Sequence, residues 1–335
     1  MPVKKIKVAL IGVRGYGEKI ASAILKSKNL ELFSCFHPQW EVAVEYGKKY
    51  GCLPFSKLEE MLSLKQIEAA VIATPNHLHY KHMKVCLKNK KNIFVEKPIT
   101  NDLKTAKTII TECKRNKKIL FVGHNFRRNG AIRKIKELME KNKIGEFVSA
   151  EINLSHAGGM KLTEDNWRYW EKFCPGGPLM MLGIHAADIS NFLFGPAKQM
   201  AAFSNNLFAP IKNIDTGLML LKLKSGKFVY ICDNYNTPAT FFVKVYGTKG
   251  ILEYSRNFKT LTFQGPDINR KAAPVEFIKF QEIDTILEEL EEFGKAVLNK
   301  KKPETGGREA YNALAVIKAA IDSSKKNKFI NISHL

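Results

Sequence analysis

The chain has 335 residues, 45% of them hydrophobic and 26% charged, which excludes a disordered or low-complexity protein. Its 54 lysines and arginines against 32 acids give a formal net charge of +22 and raise nucleic acid, an anionic membrane and acidic small molecules as partners. Only nine of those cations are arginine, too few for the guanidinium forks that nucleic-acid readers use, so a solvated lysine-rich surface is the better reading and no nucleic-acid partner is expected. The six cysteines show no CxxC pairing and no zinc-like spacing, so no metal is expected. With no signal-peptide pattern at the start, they point to a reducing, cytoplasmic setting. The most apolar stretches, Ala69–Ala73 and Leu218–Leu221, are too short to span a bilayer, so no membrane partner is expected.

The first third alternates strand and helix. Lys7–Val13 is a largely continuous apolar run that ends in a glycine-rich turn, as a strand buried on both faces would be. Helical spacing follows over Gly17–Ser27, then a strand over Leu30–Phe36 and helices over Glu41–Tyr50 and Lys57–Leu64. Strands Ala69–Ala73, Asn92–Val95 and Ile119–Gly123 alternate with helices His77–Lys88 and Leu103–Arg115. This order predicts a doubly wound parallel sheet over residues 1–123.

From residue 124 the pattern changes. A helix over Ala131–Lys141, a strand over Glu146–Ser155 and a helix over Pro178–Phe194 precede six strands with little helix between them, from Lys198 to Phe263. Turn signals such as Lys224-Ser225-Gly226 separate them, which predicts an α/β second domain, 124–335, with a large, mostly antiparallel sheet. Two helices close the chain, near 281–299 and 306–324, and the last of them is the one expected to return to the first domain. On the exposed face of the second sheet, Phe228 with Tyr230, and Phe241 with Val243, are two apart and so share a side. These apolar positions predict a homodimer or homotetramer packed through that sheet.

The turn after the first strand reads Gly12-Val13-Arg14-Gly15-Tyr16-Gly17. A dinucleotide turn needs glycine for the tight bend, for the approach of the pyrophosphate and for helix–strand packing. Gly12 fits the first role and Gly17 the third, while Arg14 with Gly15 occupies the middle. The pyrophosphate would rest on the following helix N-terminus. At the end of the second strand, His37 stands where an NAD site usually has an acid for the ribose 2′-hydroxyl. The missing carboxylate and the added cation of Arg14 favour NADP over NAD.

Two further motifs follow buried strands: Thr74-Pro75-Asn76 with His79, and Glu96-Lys97-Pro98 about twenty residues on. With the glycine turn, with Val122-Gly123-His124-Asn125 and Arg127-Arg128, and with Gly183-Ile184-His185-Ala186-Ala187-Asp188, they resemble the Gfo/Idh/MocA family of oxidoreductases. The resemblance covers nearly the whole chain. It implies an N-terminal Rossmann domain, a C-terminal α/β domain whose sheet mediates oligomers, and NAD(P)-dependent interconversion of a hydroxyl and a carbonyl on a sugar, sugar derivative or cyclitol. It also implies that Thr74, Pro75, Asn76, His79 and Glu96 face the cofactor, alongside Gly12, Arg14, Gly15, Tyr16, Gly17 and His37.

For the chemistry, Lys97 follows an apolar strand, at the end where such sites open. A partly buried lysine can serve as a base or hold a developing alkoxide. His185 is the second proton carrier, on one helix face with Asp188 at i, i+3. The two come from different domains and would meet over the nicotinamide. In the family this helix commonly carries an aspartate where Met181 stands, so His185 takes the proton role here. Asn125, Arg127, Trp167, Arg168 and Asp188 complete the candidate substrate side. Two alternatives stay open: an NAD-dependent glycosidase on the same scaffold, and a catalytically silent cofactor-binding relative, prompted by Arg14 and Met181.

Overall fold

The computed structural model describes residues 5–267, 269 and 271–335. In chain order the first elements are β1 (Ile6–Ile11), α1 (Tyr16–Lys26), β2 (Leu30–Phe36), α2 (Trp40–Tyr50), β3 (Leu53–Phe55), α3 (Leu58–Ser63) and β4 (Ala69–Ile72). Next come α4 (His79–Lys88), β5 (Asn92–Glu96), α5 (Leu103–Arg115), β6 (Leu120–Gly123), α6 (Gly130–Glu140), β7 (Phe147–Ser155) and α7 (Ile184–Phe194). Strands then dominate: β8 (Ala197–Asn205), β9 (Thr216–Leu223), β10 (Phe228–Asn234), β11 (Thr240–Gly247), β12 (Gly250–Ser255), β13 (Thr260–Gln264) and β14 (Val275–Phe277). The chain ends with α8 (Thr285–Asn299), α9 (Gly307–Lys326) and β15 (Ile330–Asn331).

The chain divides into two compact units, residues 1–125 with 284–311, and 126–283 with 312–335. In the first, β1 to β6 form a parallel sheet in the order β3-β2-β1-β4-β5-β6, the doubly wound arrangement. The apolar run of β1 is almost wholly buried because helices cover both faces of the sheet. The core is closed by α8, whose Leu290 and Phe293 are fully buried. Phe293 meets the stacked pair of Phe94 and Phe121 edge-on, at centroid distances of 5.7 and 5.9 Å. The helix that returns to the first unit is therefore α8 rather than the last one. Only the start of α9, to Tyr311, belongs there.

In the second unit, β7 to β15 form a mostly antiparallel sheet in the order β14-β13-β12-β11-β7-β10-β9-β8-β15, with β7 and β10 parallel. Ile152, Met219, Val229 and Ile231 point to the face that α7 covers. The opposite face carries Leu220 paired with Tyr230, and Phe228 beside them, all exposed. The expected surface pair on β11 is on the wrong side. Phe241 and Val243 are 3% and 0% exposed, because Val243 pairs with buried Ile152 and Tyr254. Strand parity thus puts Phe242, Lys244 and Tyr246 on the open face instead. Among the described residues no helix is long and apolar enough to cross a membrane, and no group of His, Cys, Asp and Glu could hold a metal.

Candidate cofactor and catalytic site

β1 runs straight into the glycine turn. Gly12 has φ +96°, and a Cβ there would lie 2.8 Å from the carbonyl carbon and oxygen of Ala73 and 2.9 Å from Thr74 Cγ2. A Cβ on Gly17 would fall 2.0 Å from the Gly12 carbonyl oxygen. Only glycine allows this turn to press against the end of β4 and its own helix. Gly15 precedes α1 with open space around its Cβ position, and no side chain caps the helix. The first-turn N–H groups of an uncapped helix behind a narrow glycine turn form a cradle fitted to a pyrophosphate. Arg14 is exposed beside it.

His37 follows β2, and its Nδ1 accepts from the Gln39 N–H at 3.2 Å. Burial lowers its pKa, and the charge of Arg14 lowers it further, so the ring is neutral at pH 7 and Arg14 is its electrostatic neighbour. Beyond β4, Pro75 leads into a short turn over Asn76–Leu78, and Asn76 is buried. His79 opens α4 and is fully buried. Its ring nitrogens stand 2.8 Å from the Pro98 carbonyl oxygen and 2.9 Å from that of Thr74. Two carbonyl acceptors favour the protonated ring, but burial outweighs them and brings the pKa down to about 4. The geometry makes His79 a clamp between the Thr74 and Pro98 turns. His82, also held at about pKa 4 by burial, sets its Nδ1 3.1 Å from Thr74 Oγ1.

Lys97 is half-buried directly after β5. Glu96 is 6% exposed, and a Cβ on Gly123 would meet its Oε1 at 2.9 Å. Burial pushes the Glu96 carboxyl up to about 7, opposed by the Lys97 charge and backbone N–H. Tyr16 lies over the same region. Burial, then Glu96, Glu289 and Asp284, push its phenol far above the ordinary range. Asn125 Nδ2 donates to Tyr16 Oη at 3.5 Å and to Thr285 Oγ1 at 3.2 Å. Glu289, from α8, is fully buried and was not among the expected site residues. The signal was present: Ile286, Leu290 and Phe293 set the inward stripe of that helix, and Glu289 falls between them at i+3.

In the second unit, Gly176 and Gly177 adopt φ +82° and +45°, and a Cβ on Gly177 would sit 2.3 Å from the Ile214 carbonyl oxygen. Leu179–Gly183 then forms one wide π turn that runs into α7. Met181 is buried on this turn and His185 follows on the first turn of α7, 5% exposed, its ring 4.1 Å from that of Phe126. Asp188 lies one turn beyond His185 on the same helix. It takes Arg127 bidentately, from Nε at 2.7 Å and from Nη2, and both side chains are buried. These two expected substrate residues occupy each other. Trp167 and Arg168 sit half-buried on a short turn, with the guanidinium 4.7 Å from the indole centroid.

Residues 6–124 match a family model described as oxidoreductase family, NAD-binding Rossmann fold, and residues 136–332 match its C-terminal alpha/beta domain. The chain belongs to the Gfo/Idh/MocA oxidoreductase family. It is an NAD(P)-binding enzyme. A solved structure described as a candidate NADPH-dependent oxidoreductase from Desulfitobacterium hafniense is 31% identical, with a TM-score of 0.93 over 98% of both chains. D-xylose 1-dehydrogenase [NADP(+)] of Haloarcula marismortui is 22% identical over 87% of this chain and 82% of its own length. Myo-inositol 2-dehydrogenase of Thermotoga maritima is 24% identical over 82% of this chain and 83% of its own. The matched ranges include the glycine turn, the Glu96-Lys97-Pro98 turn and the π-turn helix just described.

Proposed function

We propose that this chain is a dehydrogenase or reductase that moves a hydride between NAD(P) and a hydroxyl or carbonyl carbon of a sugar, sugar derivative or cyclitol. The observation that carries the reading is the uncapped glycine turn followed, in the same unit, by half-buried Lys97 beside a carboxyl that titrates near 7. Gly12, Gly15 and Gly17 hold the pyrophosphate through backbone N–H groups, with Thr74 and Asn76 beyond them. The nicotinamide, when bound, supplies the hydride acceptor or donor. Lys97 takes the hydroxyl proton or holds the developing alkoxide, and Glu96 sets its charge. His185, in the other unit, is the second proton carrier. Asn125, Trp167 and Arg168 contact the substrate.

NADP is the favoured cofactor: no acid ends β2, and the charge of Arg14 is felt at His37 there. The open sheet face around Leu220, Phe228 and Tyr230 supports a homodimer or homotetramer. A cytoplasmic location fits the six free cysteines.

A thermal-shift screen tests the reading. NADPH or NADH raises the melting temperature by binding the native state, and sugars or cyclitols add to that shift. Arg14→Gly weakens NADP more than NAD. Lys97→Met keeps the cofactor shift and loses turnover by roughly 100-fold or more, the scale of an acid–base group. Absence of any dinucleotide shift at millimolar concentration refutes the function, and near-normal turnover in Lys97→Met refutes the role of Lys97.

A further inference from the structure

Thr74, just after β4, is half-buried against the glycine turn. The Ala73 N–H donates to the Ile11 carbonyl oxygen at 2.8 Å, which ties the end of β4 to the end of β1 just before Gly12. Thr74 Cγ2 lies against Gly12, 2.9 Å from where a Cβ there would stand. The hydroxyl on the same Cβ is turned to α4, with Oγ1 3.1 Å from His82 Nδ1. A threonine carries two γ groups of nearly equal size, and its torsional preferences alone do not fix which of them faces the turn. The partner of the hydroxyl decides it.

α4 places His82 for this. It lies one turn after His79, at i+3, so both rings reach the same residue. His79 takes the backbone, 2.9 Å from the Thr74 carbonyl oxygen, and His82 takes the side chain. His82 is 7% exposed, and its ring meets Phe36 edge-on at a centroid distance of 6.4 Å. Phe36 is the last residue of β2, next to His37. The ring therefore touches the ends of both strands that flank β1, on either side of the glycine turn. Burial keeps it uncharged at pH 7, and a neutral imidazole nitrogen pairs with a hydroxyl as donor or as acceptor.

We propose that His82 is a positioning residue of the dinucleotide site: it holds the Thr74 hydroxyl, so that the methyl and not the hydroxyl lines the cradle at Gly12. The proposal rests on the dinucleotide reading of the glycine turn. A Thr74 released from His82 is free to swing its hydroxyl into the slot at Gly12. That makes an apolar wall polar and offers the backbone of the turn a local hydrogen-bonding partner in competition with the pyrophosphate. His82 touches no part of the cofactor in this scheme and acts only through Thr74.

The test titrates the full chain into NADPH and into NADH, read by nicotinamide fluorescence, for wild type, His82→Leu, His82→Asn, Thr74→Val and the double variant Thr74→Val/His82→Leu. His82→Leu keeps buried volume, loses the bond and weakens the tighter-bound dinucleotide by roughly 3–10-fold, the scale of one hydrogen bond. His82→Asn, whose amide still pairs with the Thr74 hydroxyl, stays close to wild type. Valine fills both γ slots with methyl groups, so in the Thr74→Val background His82→Leu costs no further affinity. A melting curve without ligand verifies that each variant is folded. If His82→Leu is unfolded, His82→Gln replaces it, since its longer side chain carries the amide past the Nδ1 position. Unchanged affinity in His82→Leu, or a loss of equal size in the wild-type and Thr74→Val backgrounds, overturns the proposal, the second being what a merely structural role of His82 produces. His82→Asn as weak as His82→Leu overturns it too. A wild type that binds neither dinucleotide overturns the dinucleotide reading as well, whereas wild-type binding indifferent to His82 overturns this proposal alone.

Discussion

Removing one partner of the Arg127–Asp188 pair separates a structural role for these residues from a substrate-binding one. The pair is bidentate, and its members are 5% and 1% exposed. Asp188→Ala removes the carboxylate that takes both arms of the buried Arg127 guanidinium, and breaking such a buried pair costs about 3–5 kcal/mol. The double variant Arg127→Met/Asp188→Leu removes both charges and retains apolar volume, so it recovers most of that loss. Urea unfolding read by tryptophan fluorescence measures both. Trp167 and Trp170 belong to the second unit, and the exposed Trp40 of the first can be replaced by Phe in the background. The signal then reports the unit that holds the pair. An Asp188→Ala midpoint unchanged in urea, with a raised KM for substrate, would refute the reasoning and return Asp188 to the substrate. A loss that shrinks in high salt would also count against it, since a buried pair is poorly screened.

Gly12→Val should lower stability by about 1–3 kcal/mol from overpacking against Ala73 and Thr74 and abolish the dinucleotide thermal shift; a retained shift excludes the turn as the binding site. The folded-state pKa of Glu96 is raised, to about 7, so its contribution to stability is complete below pH 4.5 and is lost as pH rises to about 7. That window amounts to about 3 kcal/mol, and Glu96→Gln should flatten the pH dependence of urea stability across it; parallel curves for the two proteins would reject the assignment. Tyr230→Glu, on the open sheet face, should reduce the mass by light scattering from an oligomer to a monomer without lowering the melting temperature of the first unit. An unchanged mass removes that face as the interface.

The parts of the molecule legible in the sequence are those fixed by near neighbours. The glycine turn, the apolar runs of β1, β4 and β5 and the turns behind them are set by steric limits and short periodicities, and they appear where the residues put them. Contacts made across long stretches of chain left little trace. Arg127 finds Asp188 across 61 residues, whereas the i, i+3 rule pointed only to His185. On β11 the run Phe241-Phe242-Val243 is apolar at every position, so alternation could not say which side faces inward. Pairing with β7 decides it. The π turn over Leu179–Gly183 has no periodic signature, because it is a single turn inside a helical pattern.

The return of α8 to the first unit sets an order of events during synthesis. β6 ends at Gly123, and α8 begins at Thr285. At a ribosomal pace of about 10 residues per second, the ~160 intervening residues take roughly 16 s to make. Throughout that time every strand of the parallel sheet is available, yet Phe94 and Phe121 lack the Phe293 ring that closes over them. The N-terminal unit therefore waits, with an apolar face uncovered, while the strands of the second sheet emerge. A chain truncated at Ile283 would hold it in that state permanently, although it contains every residue of the glycine turn, the Thr74 turn and the Lys97 turn.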